Sequence, residues 1–377
     1  MPMKPDEELT YQIAMASYRN MTRGTVAQFS ARGISPEMFF CREASTLSAI
    51  TGIKATFFDS ARRDACLRNA EMETAFVNDN KIRAMFADYD GYPQRLRECD
   101  DAPAMLYTLG EAQLDSPHVI SIVGTRHATA YGMDFTTRLV KDLASALGPK
   151  NLLIVSGLAY GIDVTAHRAA LTEKVPTVAV LAHGLNTLYP ADHRATATQI
   201  IREGGALITE YCSSDSIHRG NFLARNRIVA GMADVTVVVE SDIKGGALAT
   251  ARMASAYNRE VMAMPGRVSD TYSRGCNALI ASNIALMLRD AGDLIDALGW
   301  QARHSSEGTQ TEMKLELNEE QQAVLDMIKK RPEATVNEMC VALGLPYSRL
   351  SSILFEMEMD DLIIPVPGGH YTTSSKN

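Results

Sequence analysis

Gly124, Thr125 and Arg126 close the apolar run VISIVG (119–124) and lead towards a helix predicted over 133–147. Glycine lets backbone approach an anion. Amide hydrogens of the turn and the coming helix can point at it, and arginine adds a forked donor matched to phosphate oxygens. That is phosphate-holding chemistry. The plainer alternative is a tight turn at Gly124, with Arg126 paired to a local carboxylate.

The same kind of joint recurs along the chain. In VSGLAYGIDVTAHRAAL (155–171), Gly157 and Gly161 bracket a tight connection, and Tyr160 lies within it. Asp163 falls in the first turn of the next helix, with His167 four residues on along the same face. A structural hydrogen bond suits that pair better than a metal, because no third ligand lies at suitable spacing. In HGLNTLYPADHR (183–194), Tyr189 can stack on a base or close the core. In FLARNRIVAGMAD (222–234), Arg225, Asn226 and Arg227 interrupt an apolar helix. Three successive helical residues fan over about 200°. One arginine can therefore reach a cleft while the other ties two elements together, and Asn226 can bond a loop or a base edge. Lys244, Gly245 and Gly246 precede a helix, and Arg274, Gly275 and Asn277 sit at another turn-to-helix joint. Several anion-ready joints along one edge describe a groove, not a single cofactor slot.

Catalytic signatures are missing. Ser156 lacks the GxSxG elbow, and neither GxxxxGK[ST] nor a GxGxxG after a strand occurs. Glu210 and Glu240 end predicted strands, where pairing with the arginines is a plainer role than acid–base chemistry.

The elements that must position these groups begin at 119. Apolar runs at 119–124, 152–157, 177–184, 205–211, 235–241 and 260–266 alternate with helical stretches at 133–147, 162–171, 192–203, 222–232 and 247–257. Continuous apolar strands separated by helices predict an α/β fold with a mostly parallel sheet covered on both faces. Such sheets bind ligands beyond the carboxyl ends of their strands, where Gly124, Gly157, Gly184 and Gly266 fall. Residues 1–75 read as a small helical domain, and 76–118 as a turn-rich connecting segment. The sheet domain spans 119–300, 301–315 is a linker, and 316–377 gives three helices and a hairpin, a winged-helix pattern.

The formal charge of -8 argues against a wholly basic nucleic-acid binder but not against a local basic cleft. The tail is the acidic part, with 12 acidic against 7 basic residues over 301–377. The six cysteines form no CxxC pair, so neither a disulfide framework nor a zinc site is expected. No apolar run is long enough to cross a bilayer, and a cytoplasmic location follows as the default.

Taken in order, SIVGTRHATAYG, IVSGLAYGIDVTAHRAAL, VAVLAHGLNTLYP, GALITEY, RNRIVAGMADVTVVVE, KGGALATARMASAYNREVMAMPG and GCNALI resemble the bacterial DNA-processing protein A (DprA/Smf) family over roughly 100–298. The resemblance implies an extended Rossmann-like domain that binds single-stranded DNA. It implies a homodimer that protects incoming DNA in natural transformation and loads the RecA recombinase, without enzymatic turnover or cofactor. The family's phosphate-contacting arginine corresponds to Arg126, its RNR segment to Arg225, Asn226 and Arg227, and its lysine to Lys244, with Gly245 where the family has serine. The chain departs from the family pattern at Leu223, where proline is usual, and at NIAL (283–286), where a glycine–alanine pair is usual. The front helices resemble a helix-hairpin-helix module, to which Arg19, Arg23 and Arg32 could contribute. In the winged helix, Arg349 is followed by Glu356, Glu358, Asp360 and Asp361, a field unsuited to reading duplex phosphates.

Two rival accounts stand beside this one. One is a nucleotide-hydrolysing or phosphoribosyl-cleaving enzyme with Glu210 or Glu240 as acid or base. The other is an assembly protein acting mainly through the tail.

Overall fold

The computed structural model describes residues 5–19, 21–87, 91–301, 317–331, 334–359, 362–366 and 370–373. The chain forms two compact units, Met1–His304 and Ser305–Asn377. The expected linker at 301–315 lies, after residue 301, outside the described residues.

The first unit opens with helices α1 (Pro5–Ala16), α2 (Arg23–Ser30), α3 (Pro36–Cys41), α4 (Ala44–Thr51) and α5 (Ser60–Asp79). Ser35 caps α3 by accepting from the Met38 amide, with proline at the first helical position. Strands β1 (Arg83–Phe86) and β2 (Met105–Gly110) follow, with a short α6 (Gln94–Arg97) between them. The stretch 76–118, read from sequence as a connector, therefore supplies two strands of the sheet. Ile13, Phe29 and Phe39 of the helices, with Tyr18 just after α1, share a core with Phe86, Met105 and Tyr107 of these strands. That shared core is why the front helices and the sheet form one compact unit.

The alternating region gives β3 (His118–Val123), α7 (Ala130–Leu147), β4 (Leu152–Ser156), α8 (Ile162–Thr172), β5 (Thr177–Val180), α9 (Arg194–Arg202) and β6 (Ala206–Thr209). It continues with α10 (Arg219–Gly231), β7 (Val235–Val238), α11 (Gly246–Ala256), β8 (Glu260–Ala263), α12 (Arg274–Ala281), β9 (Leu286–Met287) and α13 (Ala291–Ala297). The nine strands run in the order β1-β2-β6-β5-β4-β3-β7-β8-β9. Pairing is parallel from β6 through β9, and antiparallel where β2 joins β6 and β1 joins β2.

Side chains of successive strand residues point to opposite faces. Val119, Val155 and Val178 pack in one core with α10 and α11, while Ile120, Ile154 and Val237 pack in another with α7 and α8. Both faces are dry, so the strands read as unbroken apolar runs. From β3 the chain winds outward to β6, then returns to place β7 on the other side of β3. The winding direction reverses between β3 and β7, and a sheet of this kind opens a ligand crevice at such a reversal.

The second unit contains α14 (Glu319–Lys330), α15 (Val336–Leu343), α16 (Tyr347–Met359) and the antiparallel pair β10 (Ile363–Val366) and β11 (His370–Thr373). Its core joins Val324, Ile328, Met339, Leu350, Ile353 and Met357. Arg349 is held by Glu320 at 2.6 Å, so its charge is spent inside the unit. Asp360, Asp361 and the Gly-Gly turn lie outside the described residues.

Candidate nucleic-acid interface

A crevice of about 460 Å³ lies at the carboxyl ends of β3 and β7, at the reversal of winding. Gly124, Thr125, Arg126 and His127 form one wall; Arg219, Phe222, Arg225 and Asn226 of α10 form another; Lys244, Gly245 and Gly246 form the third.

The first wall is fixed by backbone bonds. The Thr125 amide donates to the Glu240 carbonyl at 2.7 Å, and the Ile162 amide donates to the Thr125 carbonyl at 3.2 Å. A Cβ on Gly124 would stand 2.5 Å from the Ile162 side chain. Gly161 has φ +76, and a Cβ there would meet the Thr125 carbonyl at 2.2 Å. Both glycines are needed for loop and helix to approach this closely. Arg126 is left exposed, its guanidinium 5.6 Å from the centre of the Phe222 ring. Phe222 in turn meets Tyr189 edge-on at 5.7 Å. Tyr189 is 49% exposed, so an aromatic ridge borders the crevice beside a cation.

The third wall is the start of α11, whose Gly245 N-cap offers no side-chain bond. A Cβ at Gly246 would meet open space, whereas one at Gly245 would stand 2.1 Å from the Ser241 hydroxyl. The helix therefore presents unsatisfied amides and the positive end of its dipole to the crevice. Lys244 is exposed at the same edge.

The RNR segment divides differently from the expected contact and tie. Arg225 is only 5% exposed. Its Nη1 donates to the Gly157 carbonyl at 2.7 Å and to the Val180 carbonyl, and its Nε donates to Asn226 Oδ1 at 3.2 Å. A Cβ on Gly157 would sit 2.3 Å from that guanidinium. Arg225 thus floors the crevice and joins the ends of β4 and β5. Burial lowers its pKa, offset by the charge of Asp163. Burial raises the Asp163 carboxyl above its ordinary value, against the opposing charge of Arg225 and amides of Ala159 and Gly157. Arg227 lies off the crevice, gripping Glu210 through two bonds of 2.6 and 2.7 Å and donating to the Asp101 carbonyl at 3.0 Å. Both arginines tie elements together.

The other expected residues separate as well. Tyr160 is off the crevice, bonded to Asp192 at 2.6 Å and edge-on to His193. Arg274 pairs with Asp242 at 3.1 Å, and Asn277 clips both backbone groups of Gly266. Glu240 is buried and accepts from the Thr129 amide and hydroxyl, closing the start of α7. His167 bonds Thr177 at 2.7 Å, and Asp163 takes the backbone amides of Ala159 and Gly157 instead. No metal-holding cluster occurs among the described residues. All six cysteines are free thiols.

Sequence reasoning missed Arg219 and Phe222. The helix begins at Arg219, so 219, 222 and 226 share one face at helical spacing. Placing the start at 222 hid that face. Arg126, Arg219 and Lys244 have no carboxylate partner among the described residues.

The model of the DNA recombination-mediator protein A family matches residues 83–299, more than half of the chain. The chain belongs to that family. The model of the DprA winged helix domain matches residues 309–369. A putative DNA processing protein DprA of Mycobacterium tuberculosis is 40% identical over 263 residues, covering 69% of this chain and 66% of the relative. The chain thus spans slightly less than two thirds of that relative's length. The X-ray structure of DNA processing protein A from Streptococcus pneumoniae superposes with a TM-score of 0.63 at 27% identity, covering 78% of this chain and 98% of that one. A Helicobacter pylori DNA processing protein A, solved for its single-stranded DNA binding mode, gives 0.51 at 29% identity, covering 58% and 95%. These likenesses confirm the Rossmann-like α/β fold and the winged-helix tail expected from sequence.

Proposed function

We propose that this recombination-mediator family member binds single-stranded DNA by its backbone in the β3/β7 crevice. In this reading it protects the strand and delivers it to the RecA recombinase, acting as a homodimer in the cytoplasm without turnover. One observation carries the reading. Arg126, Arg219 and Lys244 converge on a crevice that also receives the uncapped start of α11, with Phe222 and Tyr189 as base-sized faces alongside. Cations and amides hold phosphates, and aromatic rings accept any base. The Helicobacter relative's single-stranded DNA binding supports the polymer over a free nucleotide. The enzymatic account loses its candidates, since Glu210 is clamped by Arg227 and Glu240 caps a helix. No helix among the described residues is long and apolar enough to cross a membrane.

The test is fluorescence anisotropy with labelled oligothymidylate at several salt concentrations. Arg126→Ala should bind weaker and lose about 0.7 from the slope of log affinity against log salt. Equal affinity and slope for both proteins would defeat the assignment. RecA delivery is read from RecA-dependent ATP hydrolysis on single strands, and dimerisation from sedimentation. A monomer at micromolar concentration would remove the dimer from the account.

A further inference from the structure

Beside the phosphate crevice lies a second cavity of about 1030 Å³, between the start of α7 and the loop from β8 to α12. Tyr272 belongs to the walls of both. Its ring lies nearly parallel to that of His127, with centroids 6.2 Å apart and planes at 25°. The two cavities therefore flank one low wall made of an imidazole and a phenol. Nothing in the chemistry of the first crevice uses the second.

The lining of the second cavity has a definite character. Tyr131, in the first turn of α7, is 56% exposed and bears no hydrogen bond or ring partner among the described residues. Arg267 is exposed and has no acidic partner there. The Glu240 carboxylate at the back is consumed by Thr129. Gly266 is pinned through both backbone groups by Asn277, so the loop carrying Arg267 has a fixed root. Asp270 is the opposing feature, an exposed acid with no cationic partner among the described residues. A large open cavity with an aromatic face and a single cation suits a base and one phosphate. It does not suit a compact polyanion, which would meet Asp270.

We propose that this cavity takes the nucleotides next in line on the strand held in the first crevice. The strand crosses the His127–Tyr272 wall, a base rests on Tyr131, and Arg267 holds the following phosphate. The inference rests on the reading of the first crevice as a single-strand site and extends it to the path of the chain. Site sizes of about 4–16 nucleotides are usual for single-strand grooves on OB folds, and a crevice of about 460 Å³ has room only for the short end of that range.

The experiment compares oligothymidylates of about 4 and about 12 nucleotides, within that usual range of site size. Arg126→Ala should weaken both lengths. Tyr131→Ala and Arg267→Ala should weaken the longer strand roughly tenfold, the lower part of the range for one lost base stack, and leave the shorter one unchanged. Tyr131→Phe, which keeps the ring, should restore wild-type affinity, and Asp270→Asn should tighten the longer strand. Because Tyr131 and Arg267 are exposed, unchanged melting midpoints are expected and are measured alongside. If the Tyr131→Ala/Arg267→Ala double variant binds both lengths like wild type while Arg126→Ala is impaired, the second subsite is wrong and the first stands. If Arg126→Ala also binds like wild type, the first reading fails too.

Discussion

Replacing Arg225 by alanine should damage the fold before it damages any contact with DNA. The guanidinium supplies donors to the Gly157 and Val180 carbonyls, and its charge offsets that of the buried Asp163. A hydrogen bond to a charged group contributes about 1.5–3 kcal/mol, and removing one member of a buried charge arrangement costs about 3–5 kcal/mol. These descriptions overlap and do not add, so the expected loss is about 3–5 kcal/mol. For a unit of this size that is a fall in melting midpoint of about 5–8 °C. Arg126→Ala removes only an exposed cation near a ring, worth under about 1 kcal/mol of stability. Thermal unfolding by circular dichroism, paired with anisotropy below each transition, separates the two roles. Gly157→Ala should reproduce the Arg225→Ala loss, because the new Cβ would occupy the guanidinium's place. The double variant should then be no worse than the worse single. Wild-type melting for Arg225→Ala, together with DNA affinity as weak as that of Arg126→Ala, would refute the structural role and make Arg225 a direct contact.

Three further outcomes follow from the same geometry. Phe222→Ala should weaken single-strand binding by about 1–3 kcal/mol while leaving the salt slope unchanged, since it removes stacking and no charge; a reduced slope would contradict this. Gly161→Ala should both destabilise the protein by more than about 1 kcal/mol and weaken binding, because strain at φ +76 and a clash with the Thr125 carbonyl shift the Arg126 loop; urea unfolding and anisotropy read the two effects. Burial holds His167 neutral and lowers its pKa from 6.5 to about 3. The unfolded chain binds that proton first, so the stability this histidine contributes is complete above pH 6.5 and is lost on acidification. The loss is up to about 1.4 kcal/mol per pH unit, and His167→Gln should flatten that part of a urea-midpoint profile.

The parallel sheet was legible because both of its faces are dry. Runs such as LLIVS could only be buried strands between helices, and the glycines closing them marked the binding edge. β1 and β2 were not legible. RAMF and MLYTLG are short antiparallel strands beside a turn-rich stretch, and their burial depends on front helices whose packing no local pattern reveals. At the site, Arg126 and Lys244 could be chosen because glycine context marks anion-ready backbone. The RNR segment suggested one arginine for the cleft and one as a tie, whereas both are ties, because their partners come from distant strand ends. Glu240 was misjudged for a similar reason. Its acceptor role serves Thr129, 111 residues earlier in the chain.

The same pairing explains how a chain of net charge -8 can hold a polyanion. Around the crevice each carboxylate is already spent. Asp242 serves Arg274 and the Ile243 amide, Glu240 closes α7, and Asp163 is surrounded by amides and Arg225. Arg126, Arg219 and Lys244 line the crevice without forming an ion pair among the described residues. With a screening length of about 8 Å at physiological salt, acids elsewhere on the surface are largely invisible to a phosphate in the crevice. The sign of the local field is therefore set by which charges found partners during folding. Net composition, which argued only against a wholly basic nucleic-acid binder, describes the rest of the surface.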